Sequence, residues 1–155
     1  MLLYFLRHAE AEDTAETDFG RRLTDRGRAQ VEKVIKFFQR HEIKPGVILA
    51  SPVTRAKQTA HPISDTLEID MVKIDWLACG MSPETCMRGL AAYGHHQAVL
   101  LVGHEPDFST VIAYLLGEAS PRAIHIRKAS LTAINVPILK AGAGELEFSI
   151  PVKLT

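Results

Sequence analysis

Three runs of uninterrupted apolar residues organise the chain: LLYFL (2–6), VILA (47–50) and AVLLV (98–102). Short continuous runs without alternation predict strands buried on both faces of a mostly parallel sheet. Between them the period becomes helical. Val31, Val34, Ile35 and Phe38 recur at helical spacing behind Thr24, a predicted N-cap, and Phe108, Val111, Ile112 and Leu115 repeat the pattern with Pro106 in the first turn. Ser51-Pro52 reads as the start of a helix to about Asp65 with Ala56, Ala60 and Ile63 inward, and a further helix is predicted over 83–94. From Ala123 the period changes to two, with Ile124 and Ile126 against His125 and Arg127, then Ala133, Ile134 and Val136, then Leu146, Phe148 and Ile150 after the turn-like AGAG. Strands alternating with helices before a strand-rich tail predict an α/β fold, a three-layer α/β/α sandwich with a mixed, mostly parallel central sheet, in one domain over 1–155. Residues 10–22 form the longest expected loop.

Composition narrows the function classes. Lys plus Arg and Asp plus Glu number 18 each, so no global positive field draws in nucleic acid or anionic lipid. Any anion must be held by a local cluster. No stretch approaches a membrane span, and MLLYFL lacks a basic leader and cleavage pattern. The expectation is a cytoplasmic protein without nucleic-acid or membrane partners. Cys79 and Cys86 are spaced as free thiols rather than as a disulfide or zinc pair.

Each apolar run ends in a polar signal: Arg7-His8, then Ser51-Pro52 with Arg55 following, then Gly103-His104-Glu105. If the strands are parallel, these signals share one sheet edge, where open α/β folds bind ligands. Two guanidinium forks and two imidazoles at one crevice suit a dianionic group, and a neutral imidazole can attack phosphorus. Taken singly, Arg55 reads as a surface charge and His104 as a core histidine, but their convergence with Arg7-His8 outweighs both readings, since buried charges without ligands are costly. A zinc site of His8, His104 and Glu105 or Asp107 is opposed by the two arginines, which repel a cation as they attract a phosphate. No metal or other cofactor is therefore expected. His41, His61 and His125 read as surface residues, and His95-His96 as a helix end.

The ordered blocks LRHAEAE, LTDRGRAQ (23–30), ILASPVTRAKQTA (48–60) and LLVGHEPD (100–107) resemble those of the histidine phosphatase, or phosphoglycerate mutase-like, superfamily, and with the chain length they resemble its SixA-type phosphohistidine phosphatases. The resemblance covers roughly residues 1–116. It implies that His8 is the phosphorylated nucleophile, Arg7 and Arg55 the phosphate clamp, and His104 a second imidazole donating to the transferring group. It also implies that Arg21, within RRLT, reaches the substrate. Ala9 stands where the family shows glycine, so an ordinary backbone is expected there, with its carbonyl or amide orienting His8. In phosphoester-cleaving relatives a glutamate general acid follows the third strand. The equivalent place here, in WLACGMSPE, is Cys79. Glu84, Glu105 and Asp107 are the substitutes to weigh, against their alternative as helix caps.

The functional expectation is removal of a phosphoryl group, from protein phosphohistidine or from a small phosphorylated metabolite, without a metal ion. A module that only recognises phosphate is the alternative from another class. A binding module has no need of a nucleophile, which favours catalysis.

Overall fold

A computed structural model describes all 155 residues. Six strands form one sheet in the order β3-β2-β4-β1-β5-β6, with β1 at Leu2–Arg7, β2 at Val47–Ala50, β3 at Met71–Lys73, β4 at Ala98–Gly103, β5 at Leu131–Asn135 and β6 at Glu145–Ile150. The first four in that order are parallel, whereas β5 runs antiparallel to both β1 and β6. The mixed sheet and its two helical layers are the expected α/β sandwich. No helix is long and apolar enough to cross a membrane.

The apolar runs are continuous because both faces of the sheet are covered. Tyr4 and Leu6 pack toward α1 (Asp25–Arg40) and α2 (Thr54–Leu67), while Leu3 and Phe5 pack toward α3 (Pro83–Leu90) and α4 (Asp107–Leu116). Phe108, fully buried at the start of α4, meets Phe5 edge to face at 5.2 Å. Burying such a ring contributes about 1.5–3 kcal/mol, and here it also fixes the helix that follows His104. Gly103 permits this approach, since a Cβ there would press into the Phe108 ring.

Four sequence expectations are corrected by tertiary context. Ser51 does not cap a helix: its amide donates to Val102 O at 3.0 Å as an extension of β2, and α2 starts at Thr54 with Val53 as N-cap. Pro106 lies before α4 as its N-cap residue rather than inside the first turn. The alternation at 124–127 is not a strand, because Ser120 and Pro121 start a short 3-10 turn and Ala129, at φ 55°, turns the chain into β5. Leu146 leaves the face it was expected to share with Phe148. A bulge pairs Ala133 with Phe148 but Ile134 with Leu146, which shifts Leu146 to the other side of the sheet. The helix expected over 83–94 is α3 continued by a 3-10 turn at Ala91–Tyr93.

The first turn of α1 grips the chain just beyond His8. Thr24 caps the helix by accepting from the Gly27 amide at 3.0 Å, and its own amide donates to Glu10 O at 3.1 Å. Gln30 Oε1 accepts from the Glu10 amide at 2.9 Å. Gly27 is buried against this segment, and a Cβ at that position would collide with the Glu10 carbonyl. Gly27→Ala gains about 1 kcal/mol in helix propensity but overpacks a backbone contact that costs about 1–3 kcal/mol. The expected result is a lower urea midpoint with an unchanged m-value; an equal or higher midpoint would show that α1 can retreat from Glu10 without loss.

Candidate active site

The parallel register brings the strand-end residues side by side. Arg7 pairs with Gly103 and Ala50 with Val102, so His8, Ser51 and His104 leave the sheet at one edge. The His8 amide donates to Gly103 O at 2.9 Å. Its ring is buried, and the centroids of His8 and His104 lie 5.3 Å apart.

The His8 ring is oriented by its backbone. Nδ1 lies 2.8 Å from the Ala9 carbonyl, an acceptor, so Nδ1 carries the proton. Nε2 is left with its lone pair and accepts from Arg55 Nε at 3.2 Å. Ala9 has no positive φ. Its amide donates to Thr59 Oγ1 at 3.1 Å, and Thr59 in turn donates to the Arg55 carbonyl at 2.8 Å. Thr59 thus ties the His8 loop to the helix that carries Arg55.

Arg55 is 5% exposed. Besides His8, its guanidinium donates from Nη1 to Asp18 O at 2.7 Å and from Nη2 to Asp18 Oδ2 at 3.1 Å. Asp18 belongs to a short 3-10 turn, Asp18–Gly20, inside the long polar loop. Its other oxygen, Oδ1, accepts from Arg21 Nη1 at 3.0 Å, and Arg21 Nε donates to Glu12 O. One carboxylate therefore bridges Arg21 and Arg55. The Arg21 hydrogen bond, with Arg55 beside it, holds the Asp18 carboxyl below its ordinary range and keeps it ionised.

His104 Nε2 lies 2.7 Å from Ser51 Oγ, which also accepts from the Val53 amide at 3.3 Å. Arg7 donates from Nη1 to the Ile126 carbonyl at 2.9 Å. Two buried side-chain polar atoms have no hydrogen-bond partner, Arg7 Nε and His104 Nδ1. Both belong to residues singled out from the sequence. Burial, and then the neighbouring imidazole and guanidinium charges, push His8 down to about 3. Burial and Arg55 likewise push His104 down to about 4. Both imidazoles are neutral at pH 7, as a nitrogen nucleophile requires.

The three acids weighed from the sequence fall in different places. Glu84 stands exposed in the first turn of α3, its carboxyl lowered by the Glu84 backbone amide and by Ser82. No hydrogen bond or ion pair joins it to the crevice. Asp107 is buried, and its Oδ2 accepts from the Gly80 and Met81 amides at 2.8 and 3.1 Å, which fastens that turn to α4. Glu105 is half-buried and accepts from the Ser109 amide at 3.2 Å; burial raises its carboxyl despite the pull of Arg7. Cys79 does reach the crevice, with Sγ 3.7 Å from Arg55 Nη2. No trio of His, Cys, Asp or Glu is arranged to hold a metal ion.

The arrangement presents a neutral imidazole nitrogen bonded to a buried guanidinium, a second imidazole 5.3 Å away, and Arg7 close enough to act on both rings through its charge. Its capacity is binding of an anion and attack on it. Asp18 and Thr59 are polar partners that the sequence did not single out, and Ser51, placed at this edge by the sequence, turns out to be the partner of His104 rather than a helix cap; Asp18 precedes Arg21 by three residues, a weak local signal.

Comparison with known proteins agrees with this geometry. Residues 3–78 match the histidine phosphatase superfamily (branch 1). A SixA homolog of Haemophilus influenzae is 26% identical over 132 residues, covering 78% of this chain and 80% of that protein. The mitochondrial serine/threonine-protein phosphatase Pgam5 of Drosophila mojavensis is 36% identical over 72 residues, 46% of this chain, which spans only 25% of that protein's length. Among solved structures, protein histidine phosphatase SixA complexed with tungstate superposes with a TM-score of 0.89 at 20% identity, covering 99% of both chains. A SixA-type protein of Agrobacterium tumefaciens gives 0.82 at 28% identity, covering 97% of both. With a family match over residues 3–78 and SixA-type proteins alike over most of its length, the chain belongs to the histidine phosphatase superfamily, in the SixA-type branch.

Proposed function

We propose that this phosphatase hydrolyses phosphohistidine on a protein through a phospho-His8 intermediate. The observation that carries the reading is the state of Asp18, the carboxylate bonded to the phosphate clamp. Arg21 and Arg55 hold it ionised, so it brings no proton to a leaving group. Cys79, at the place of the relatives' glutamate, is an exposed thiol whose pKa partial desolvation raises, and a thiol is a poor substitute for a carboxylic acid.

In the reaction, the phosphoryl oxygens replace Asp18 and His8 Nε2 as acceptors on Arg55, which frees the lone pair. Nε2 attacks phosphorus in line, the bond to the leaving group breaks, and its electron pair departs with that group. Arg7 contributes Nε and His104 contributes Nδ1 to the equatorial oxygens, both nitrogens without protein partners. The Nδ1–H bond to Ala9 O strengthens as positive charge grows on the ring. Water then attacks the phospho-imidazole, releasing phosphate and restoring His8.

The leaving group decides the substrate class. An alkoxide resembles hydroxide, a strong base and therefore a poor leaving group, and its departure needs a positioned acid worth about 10²–10⁴ in rate. Phosphohistidine leaves as neutral imidazole once its free nitrogen is protonated, which an unperturbed pKa of about 6.5 allows from solvent.

His8→Ala is expected to retain part of the phosphate affinity while losing at least about 10³-fold in turnover. Trapping with labelled substrate should give an adduct on wild type that is labile to acid and stable to alkali. An acid-stable adduct, or an active His8→Ala protein, would exclude the intermediate.

In a competition among phosphohistidine protein, aryl phosphate and sugar phosphate at equal concentration, phosphohistidine is expected to show the highest kcat/KM and sugar phosphate the lowest. If sugar phosphate ranks first, the enzyme is a small-molecule phosphoesterase. Glu105, the half-buried carboxyl raised by burial, is then the acid to remove by Glu105→Gln.

A further inference from the structure

The edge of the sheet that carries His8 continues past β1 to β5 and β6, and positive charge gathers there. A crevice of about 310 Å³ opens between the start of α1, the segment entering β5 and the turn after β6. Arg26, Arg127, Lys128 and Lys153 line it together with His125, and Arg7 belongs both to its wall and to the phosphate clamp. Glu10 is the one acid in the lining, and it is already paired with Arg26 at 3.4 Å. In a chain with 18 basic and 18 acidic residues, so one-sided a lining is a local construction.

The kind of anion follows from how the cations are held. Arg55 illustrates a site for a single phosphoryl group: it is buried, and its guanidinium is fixed by several hydrogen bonds. The crevice cations are different. Arg26, Arg127 and Lys153 are exposed, and no ion pair anchors Arg127, Lys128 or Lys153. Long, hydrated, unanchored side chains spread over separate segments make a diffuse positive field rather than a fork for one group. Such a field matches several carboxylates along a flexible chain.

We propose that this crevice holds the carboxylates of an acidic polypeptide segment flanking the phosphorylated residue of the protein substrate. The inference deepens the phosphohistidine reading and rests on it for the identity of the substrate. Arg7 joins the two regions, so a segment leaving the catalytic centre along the sheet edge enters the crevice directly. The contribution is to affinity and choice of substrate, since none of Arg127, Lys128 and Lys153 touches the reacting groups.

The test uses two histidine peptides that differ only in flanking Asp and Glu against Asn and Gln, each with and without phosphorylation of the histidine. The triple variant Arg127→Ala/Lys128→Ala/Lys153→Ala and the exposed double variant Arg127→Glu/Lys153→Glu are compared with wild type. Wild type is expected to bind the unphosphorylated acidic peptide about tenfold more tightly than its neutral twin, with the preference falling as salt rises. The preference should vanish in both variants, while turnover of p-nitrophenyl phosphate stays within about twofold of wild type. Equal binding of the twins by wild type, or an intact preference in either variant, would overturn the proposal. So would equal loss of p-nitrophenyl phosphate turnover, which would make the cations structural. Pyrophosphate that binds wild type more tightly than the acidic peptide and is released by the triple variant would reassign the crevice to a small polyanion. Peptide preference without hydrolysis of either phosphopeptide would refute the phosphohistidine reading and leave the crevice standing; hydrolysis of both at equal rates would do the reverse.

Discussion

His8 Nδ1 donates to the Ala9 carbonyl at 2.8 Å, and the chemistry of the site depends on where that leaves the other ring nitrogen. With the proton fixed on Nδ1, Nε2 presents its lone pair toward Arg55. The backbone that makes this bond is itself held from three sides. Gly103 O accepts from the His8 amide, Thr59 accepts from the Ala9 amide, and the first turn of α1 grips Glu10. Rotating the ring by releasing any of these would turn the Nδ1–H, instead of the lone pair, toward Arg55. The long-range contacts among β1, β4, α1 and α2 thus serve one imidazole.

Burial and neighbouring positive charge work in the same direction on that ring, since both disfavour its protonation. They carry a cost in stability. Below about pH 6.5 the unfolded chain protonates these histidines, whereas the folded protein does so for His104 only near 4 and for His8 near 3. The unfolded state binds more protons across that interval, so stability falls as the pH is lowered through it. Asp18 moderates the same electrostatics from the other side. As an exposed carboxylate on a buried guanidinium, it offsets the charge of Arg55 while remaining in contact with water itself.

Strands β1, β2 and β4, the two helical layers and the meeting of Arg7, His8, Arg55 and His104 were legible in the sequence, because a strand buried on both faces must be apolar throughout and its polar end marks the sheet edge; β3, three residues long and largely exposed, left no such run. What escaped was polar and tertiary. Ser51 carried a helix-start signal beside Pro52, but the chain stays paired to β4 there and the hydroxyl turns to His104. Asp18 lies in a loop whose composition says only that it is exposed; its role arises from the fold that brings Arg55 to it. Leu146 kept a period of two that one bulge interrupts. Glu84 and Asp107 attracted interest as acids near the motifs, yet one remains on an exposed helix start and the other fastens a turn.

His8 is a neutral imidazole with its proton on Nδ1 and its lone pair on Nε2, and both can be observed. Long-range proton–nitrogen-15 correlation spectra of the histidine rings between about pH 4 and pH 8 report the protonation of each nitrogen directly, across the range in which an ordinary histidine titrates. Nε2 of His8 is expected to stay unprotonated throughout, with titration only as the pH approaches 3. A His8 ring that carries its proton on Nε2 at neutral pH, or that titrates near the ordinary value of about 6.5, would contradict that expectation.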